Sequence, residues 1–342
     1  MDNCSHNGEK LQSSVMTVAK AWGEKGFVGQ DFIDYLSDEN KISFPWSMID
    51  KITPHPSERV QEELGRLGVA DMAIARTNTG TLIAPFVNAE ITEYLVLEDA
   101  FPNGRPALEG AGVYLTDRTT VEKAEKMKVG TCLNPLHTAL AVYGCLLGYT
   151  SIAAEMGDAD LKALVEHIAA ESLPVVEDPG ILSPRAFIDE VLHERFPNPA
   201  IPDTPQRIAA DTSQKLPVRY GGTLRRYARQ SEQALAGLEF APLVFAGWCR
   251  YLLGVDDRGN AMPVSPDPML PQLQAHLKGI EVGRPDSLAG QLRPILSNAA
   301  LFGVDLYAAG LGERTEEMFR DMLAGPGAVR ATLHRNCACK QP

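Results

Sequence analysis

Three clusters in this sequence combine residue types and spacings that chemistry can use. In the first, Lys128 is followed by Asn134, Pro135 and His137. Asn before Pro is a good helix start, with the asparagine as cap and the proline in the first helical position. His137 then falls one turn along, close to the same face. A lysine, an amide and an imidazole thus converge near a helix N-terminus. The free N–H groups and positive dipole end there favour developing negative charge. This is equipment for exchanging a proton with an oxygen. The plainer reading of the same residues is a cap, a core histidine and a surface lysine.

The second cluster is Thr204-Pro205-Gln206-Arg207 with Asp211-Thr212-Ser213-Gln214-Lys215-Leu216-Pro217. Read as one helix, opened by Thr204 and Pro205 and stopped by Pro217, it sets Arg207, Asp211 and Lys215 four apart on one face. Such a row is either an exposed salt-bridged stripe, worth roughly a few tenths of a kcal/mol per pair, or a cationic anchor. As an anchor it would take a carboxylate or sugar hydroxyls, with Asp211 holding the cations in place. Arg219 is a further cation within reach of a carboxylate. The third cluster is Asp2-Asn3 with His6-Asn7-Gly8, a polar turn before a helix that suits an anion or hydroxyl, or merely caps the helix.

The elements that must position these residues are mostly helical. Helical spacing runs through 9–22, 57–67, 121–128, 134–149, 158–171, 183–195 and 204–215. It continues through 223–238, 241–253, 268–277, 287–292 and 315–322. Short β-rich runs lie near 81–87 and 93–98, with an extended stretch between prolines at 44–54. The expected architecture is mostly α with a small α/β part. Residues 1–90 read as the C-terminal remnant of a Rossmann-type nucleotide-binding domain, and 91–342 as a helical catalytic, substrate-binding domain. The polar start at Met1 reads like the loop after a strand. No Gly-x-Gly-x-x-Gly follows a strand; Gly110-Ala111-Gly112 has only the first two glycines.

Composition narrows the functions. With 342 residues, 44% hydrophobic and 22% charged, the chain can bury a sizeable core. Its net charge of −12, with scattered basic residues, argues against a nucleic-acid partner. An anionic ligand would therefore need a local cation cluster set against the overall field. The apolar stretch 138–149 is too short and too glycine-broken to span a bilayer. Six cysteines, two of them in apolar surroundings at Cys132 and Cys145, suggest free thiols in a reducing, cytoplasmic setting. Cys337-x-Cys339 has no second ligand pair nearby, so no metal is expected.

Taken in order, the clusters resemble the mannitol dehydrogenase family, the polyol-specific long-chain dehydrogenases. The resemblance is carried by Asp2-Asn3 with Asn7-Gly8, and by Phe44-Pro45-x-x-Met48-Ile49-Asp50-Lys51-Ile52-Thr53-Pro54. It continues in Leu97-Glu98-Asp99 with Gly104-Arg105-Pro106, in Lys128 with Asn134 and His137, and in Arg207 through Asp211 to Lys215. It implies a metal-independent hydride transfer with NAD, or NADP, in which Lys128 is the acid/base and Lys126 the alternative. Glu125 would assist proton exchange with solvent, and Asn3 and Asn134 would hold the reacting oxygen. His137, Arg207, Lys215, Asp50 and Asp211 would bind substrate, and Asp2 and Asn3 would touch the cofactor. Five residues separate Lys128 from Asn134 where the family usually has four, so a bulge or longer helix entry must absorb one.

The form Cys132-Leu133-Asn134-Pro135-Leu136-His137-Thr138 looks closer to the hexuronate reductases of that family. The implied reaction is D-fructuronate to D-mannonate, with mannitol or tagaturonate chemistry as alternatives. The expected partners are the small-molecule substrate and a separately encoded nucleotide-binding domain, with no membrane. A different class of reading is a catalytically silent chain or a helical partner-binding module.

Overall fold

The computed structural model describes residues 4–338, so Asp2, Asn3 and Cys339 lie outside the described residues. The chain divides into two compact units, 1–125 with 179–181, and 126–178 with 182–342. The expected boundary at 90/91 falls inside the first unit. Strand β4 explains why: it pairs backward onto β1 and cannot leave with the helices.

The first unit starts with α1 (Asn7–Glu24) and α2 (Gln30–Ser37). Next come β1 (Ser47–Asp50), α3 (Glu58–Arg66), the short pair β2 (Ala75–Arg76) and β3 (Leu82–Ile83), then β4 (Tyr94–Glu98) and β5 (Tyr114–Thr116). The larger sheet has the order β1-β4-β5, with β1 antiparallel and β5 parallel to β4. Exposed large apolar side chains concentrate here: among the described residues, all of them except Val218 lie in this unit.

Asn7 and Gly8 take a structural role. The Asn7 amide donates to the Ser47 carbonyl at 2.8 Å and hydroxyl at 2.9 Å, while its oxygen accepts from the Ser47 N–H at 3.0 Å. A Cβ on Gly8 would sit 2.3 Å from the Phe44 carbonyl oxygen, so only glycine lets α1 approach β1 this closely. His6 adopts a left-handed backbone at φ 54° and stacks on Trp46 at 4.2 Å. The Asn7 side chain is thus committed to β1.

Helix α4 (Arg118–Met127) leads into the second unit. There α5 (Asn134–Leu147), α6 (Ile152–Glu155), α7 (Ala159–Ser172), α8 (Pro184–Glu190), α9 (Pro205–Ile208) and α10 (Thr212–Arg219) follow. Next are α11 (Gly221–Gln230), α12 (Glu232–Ala236), α13 (Phe240–Tyr251) and α14 (Leu270–His276). The unit closes with α15 (Arg293–Leu296), α16 (Ala299–Phe302), α17 (Gly312–Met322) and α18 (Ala328–Cys337). The core is built on α5 and α13. Every residue from Pro135 to Leu146, and every residue of α13, is buried, as expected for helices apolar all round. Tyr143 donates to the Leu243 carbonyl at 2.8 Å, and Gly247 leaves room for its ring. The Glu171 carboxylate accepts the first N–H groups of α13, from Glu239, Phe240 and Ala241. No helix among the described residues is long and apolar enough to cross a membrane.

Three sequence expectations are corrected. The helix expected over 204–215 is two helices, α9 and α10, because Asp211 takes a left-handed conformation at φ 52° and starts a new one. Pro217 lies inside α10 instead of ending it. The helix expected over 223–238 breaks at Ser231, whose hydroxyl accepts from the Ala234 N–H and caps α12. The stretch 287–292 is not helical. Gly290 turns there at φ 93°, and α15 begins afterwards.

Candidate active site

The residue spacing around Lys128 has a direct structural outcome. Lys128–Cys132 forms one π-helical turn between α4 and α5, in which the Leu133 N–H donates to the Lys128 carbonyl at 3.1 Å, five residues back. A π turn absorbs one extra residue without rotating what precedes it, which is the bulge that the five-residue spacing requires. Lys128 is buried at 3% exposure. Lys126, the alternative, is exposed and lies 3.9 Å from Glu177. The turn is held from outside: the Thr223 hydroxyl donates to the Gly130 carbonyl at 3.1 Å.

Helix α5 begins at Asn134, one residue earlier than expected, with Leu133 as its cap and Pro135 in the first turn. Asn134 is therefore not a capping side chain. No described residue hydrogen-bonds its amide, which leaves it available to an oxygen. Its backbone carbonyl accepts from the Thr138 hydroxyl at 3.0 Å and from Arg219 Nη1 at 3.3 Å.

His137 lies on the first turn of α5 and is buried. Its Nε2 is 3.0 Å from Asp203 Oδ2, yet off the hydrogen-bond line, so the nitrogen is buried without a bonded partner in this geometry. The ring packs on Phe196 at 5.1 Å, just after a second π turn at Val191–Arg195. Burial pushes the imidazole pKa down. Asp203 opposes this, and Arg219 and Arg207 reinforce it. The result is a neutral ring that can both donate to and accept from a sugar hydroxyl.

Asp203 is the residue that sequence reasoning missed. Its carboxylate is nearly inaccessible and accepts from Arg207 Nε at 2.9 Å and Nη2 at 2.5 Å while facing His137. Burial pushes its carboxyl up, but His137 and Arg207 outweigh that and hold it below the usual range. Asp211 does not hold the cations as expected. It is exposed, and the helix break takes Arg207 off the face that carries Lys215. The available signal was Asp203 four residues before Arg207, a pairing usual in helices.

Lys215 is half-buried and donates to the carbonyls of Ile208, at 3.0 Å, and Ala210. Burial, then the neighbouring Arg219, lowers its pKa to about 8. Arg219, one turn on along α10, donates through Nη1 to the Thr138 hydroxyl at 2.7 Å. The second unit thus gathers Lys128, Asn134, His137, Arg207, Lys215 and Arg219 around the start of α5, with Asp203 as the carboxylate inside the group. Glu125 and Asp50 belong to the first unit. Glu125 accepts from the Ser5 hydroxyl, and Asp50 is buried on β1. Among the described residues no three His, Cys, Asp or Glu side chains are grouped to hold a metal ion.

Glu155 lies behind this site, fully buried, with neither carboxylate oxygen hydrogen-bonded. Gly144 on α5 makes room for it. Burial, then Asp158 and Asp203, raise its pKa from 4.5 to about 9. The folded state therefore keeps a proton that the unfolded chain releases, and this group's contribution to stability falls as pH rises through that window. Glu155→Gln should stabilise the protein relative to wild type at about pH 8, by roughly 3 kcal/mol, and change little near pH 4. Chemical unfolding at the two pH values measures this; an equal effect at both would mean that Glu155 is ionised in the fold.

A family model described as the mannitol dehydrogenase C-terminal domain matches residues 120–314. A D-mannonate oxidoreductase of Thermotoga maritima is 57% identical over 97% of this chain and 62% of its own length. A D-mannonate oxidoreductase of Escherichia coli is 32% identical over 89% of this chain and 56% of its own. Among solved structures, a Pseudomonas fluorescens mannitol 2-dehydrogenase in ternary complex with NAD and D-mannitol superposes with a TM-score of 0.69 at 29% identity, covering 100% of this chain and 62% of that one. The chain spans about half to three fifths of the length of the curated relatives it matches. Those relatives carry the rest of their length in the same chain, which gives no support to a separately encoded nucleotide-binding domain.

Proposed function

Because the chain belongs to the mannitol dehydrogenase family, we propose that it forms the catalytic, substrate-binding part of an NAD-dependent oxidoreductase acting on the CH–OH group of a sugar acid. D-fructuronate and D-mannonate are the leading pair. The reading rests on one observation: a buried lysine in the π turn that leads into α5, whose first turn carries an Asn134 amide that no described residue hydrogen-bonds and a neutral His137 with Arg207 and Arg219 near it. The names of the two D-mannonate oxidoreductases support the substrate class. Buried free thiols at Cys132, Cys145 and Cys249 fit a reducing, cytoplasmic setting.

The groups gathered at the start of α5 are equipped to handle the proton and the oxygen. Lys128 gives a proton to the carbonyl oxygen as the alcohol forms, or takes it back in the reverse direction. The Asn134 amide donates to that oxygen as charge develops, next to the positive end of α5. His137, packed on Phe196 and facing Asp203, engages a sugar hydroxyl, and Arg207 and Lys215 draw in the anion. Lys128 is preferred to Lys126 because it is buried at the entry to α5, whereas Lys126 is exposed.

The test is oxidation. The complete protein carrying this chain, given NAD, should oxidise D-mannonate in preference to D-mannitol. Oxidation of D-mannitol alone would move the assignment to a polyol dehydrogenase. No oxidation of either, with no reduction of tagaturonate, would sink the reading and favour a silent chain.

A further inference from the structure

Resting on the sugar-acid reading, we propose that Arg219 binds the substrate carboxylate and so favours sugar acids over neutral polyols at this site. The guanidinium ends α10 and lies against the first turn of α5. Its two hydrogen bonds leave from one nitrogen, Nη1, and go to neutral oxygens, the Thr138 hydroxyl and the Asn134 carbonyl. The Nε–Nη2 edge makes no hydrogen bond to a described residue, and the residue is only half-buried. That edge is the planar fork that matches a carboxylate with two parallel bonds.

No carboxylate of a described residue pairs with Arg219, and only the carbonyl end of its own helix offsets its charge. Several other arginines of this unit meet carboxylates: Arg207 meets Asp203, Arg226 meets Glu177, and Arg330 meets Asp158 and Asp160. The fully buried Arg250 donates to carbonyls, at 2.6 Å for Val255, but Asp256 and Asp257 stand near it. Arg219 has no such neighbour, and burial lowers its pKa to about 10. Its nearest charge on α10 is Lys215, four residues earlier and of the same sign, which is an unfavourable pair. Arg219 also lies near the positive end of α5, the wrong end for a cation. Burying charge without a counter-ion is costly, and a bound carboxylate would offset all three terms at once.

The experiment compares wild type, Arg219→Met and Arg219→Lys in the complete protein, with D-fructuronate and D-fructose as substrates. Arg219→Met should raise KM for D-fructuronate on the order of 100-fold with kcat changed far less. The loss on D-fructose should be at least about ten-fold smaller. Arg219→Lys should recover part of the acid KM. Equal losses on both substrates in both variants would mean that Arg219 only supports the fold, and an unchanged KM would remove it from the site. If wild type turns over neither substrate, the oxidoreductase reading fails separately. Calorimetric binding of D-mannonate then decides for Arg219: binding lost in Arg219→Met sustains the assignment, and binding absent or unchanged overturns it.

Discussion

Lys128→Ala is expected to lower kcat on the order of 10³-fold while leaving KM for the sugar acid within a few fold. General acid–base catalysis by one positioned group contributes about 10²–10⁴-fold, and Lys128 is the buried lysine at the entry to α5. The π turn explains why this position is fixed. Leu133 closes on the Lys128 carbonyl, and the turn is anchored from α11 by Thr223. Steady-state kinetics on the variant measure the effect. Lys126→Ala, a surface change beside Glu177, should cost little. If Lys126→Ala showed the large loss and Lys128→Ala did not, the assignment would pass to Lys126.

Asp203→Ala should act on both stability and binding. It removes the carboxylate that Arg207 grips through two nitrogens and that faces His137. Deleting one partner of a buried ion pair costs about 3 kcal/mol or more, although the exposed side of Arg207 is rehydrated and softens this. With Asp203 gone, the buried imidazole stands beside Arg207 and Arg219 with no carboxylate to orient it. KM for the substrate should then rise on the order of ten-fold or more. Asp203→Asn keeps the shape without the charge and should fall between. The checks are the urea midpoint and KM. A variant that kept both would show that the Asp203 contacts contribute nothing.

What the sequence made legible was local. Lys128, Asn134 and His137 lie within ten residues, so helix geometry alone relates them. The extra residue between Lys128 and Asn134 called for a bulge, and the π turn supplies one. What it hid was either distant or conformational. His137 and Asp203 meet across 66 positions, which no helical period reports. The break at Asp211 depends on one left-handed residue. Its trace was present: Asp211-Thr212-Ser213-Gln214 has the pattern of a fresh helix start. Reading through it placed Arg207 and Lys215 on one face and hid the pair that does share a face, Lys215 and Arg219. The hydrogen bonds of the Asn7 side chain to β1 are long-range too, across forty positions.

The most direct test of the central claim is NADH oxidation by the complete protein with D-fructuronate, run beside the Lys128→Ala variant. The account predicts steady oxidation dependent on D-fructuronate in wild type and almost none in the variant. No oxidation in wild type, or the same rate in both proteins, would contradict it.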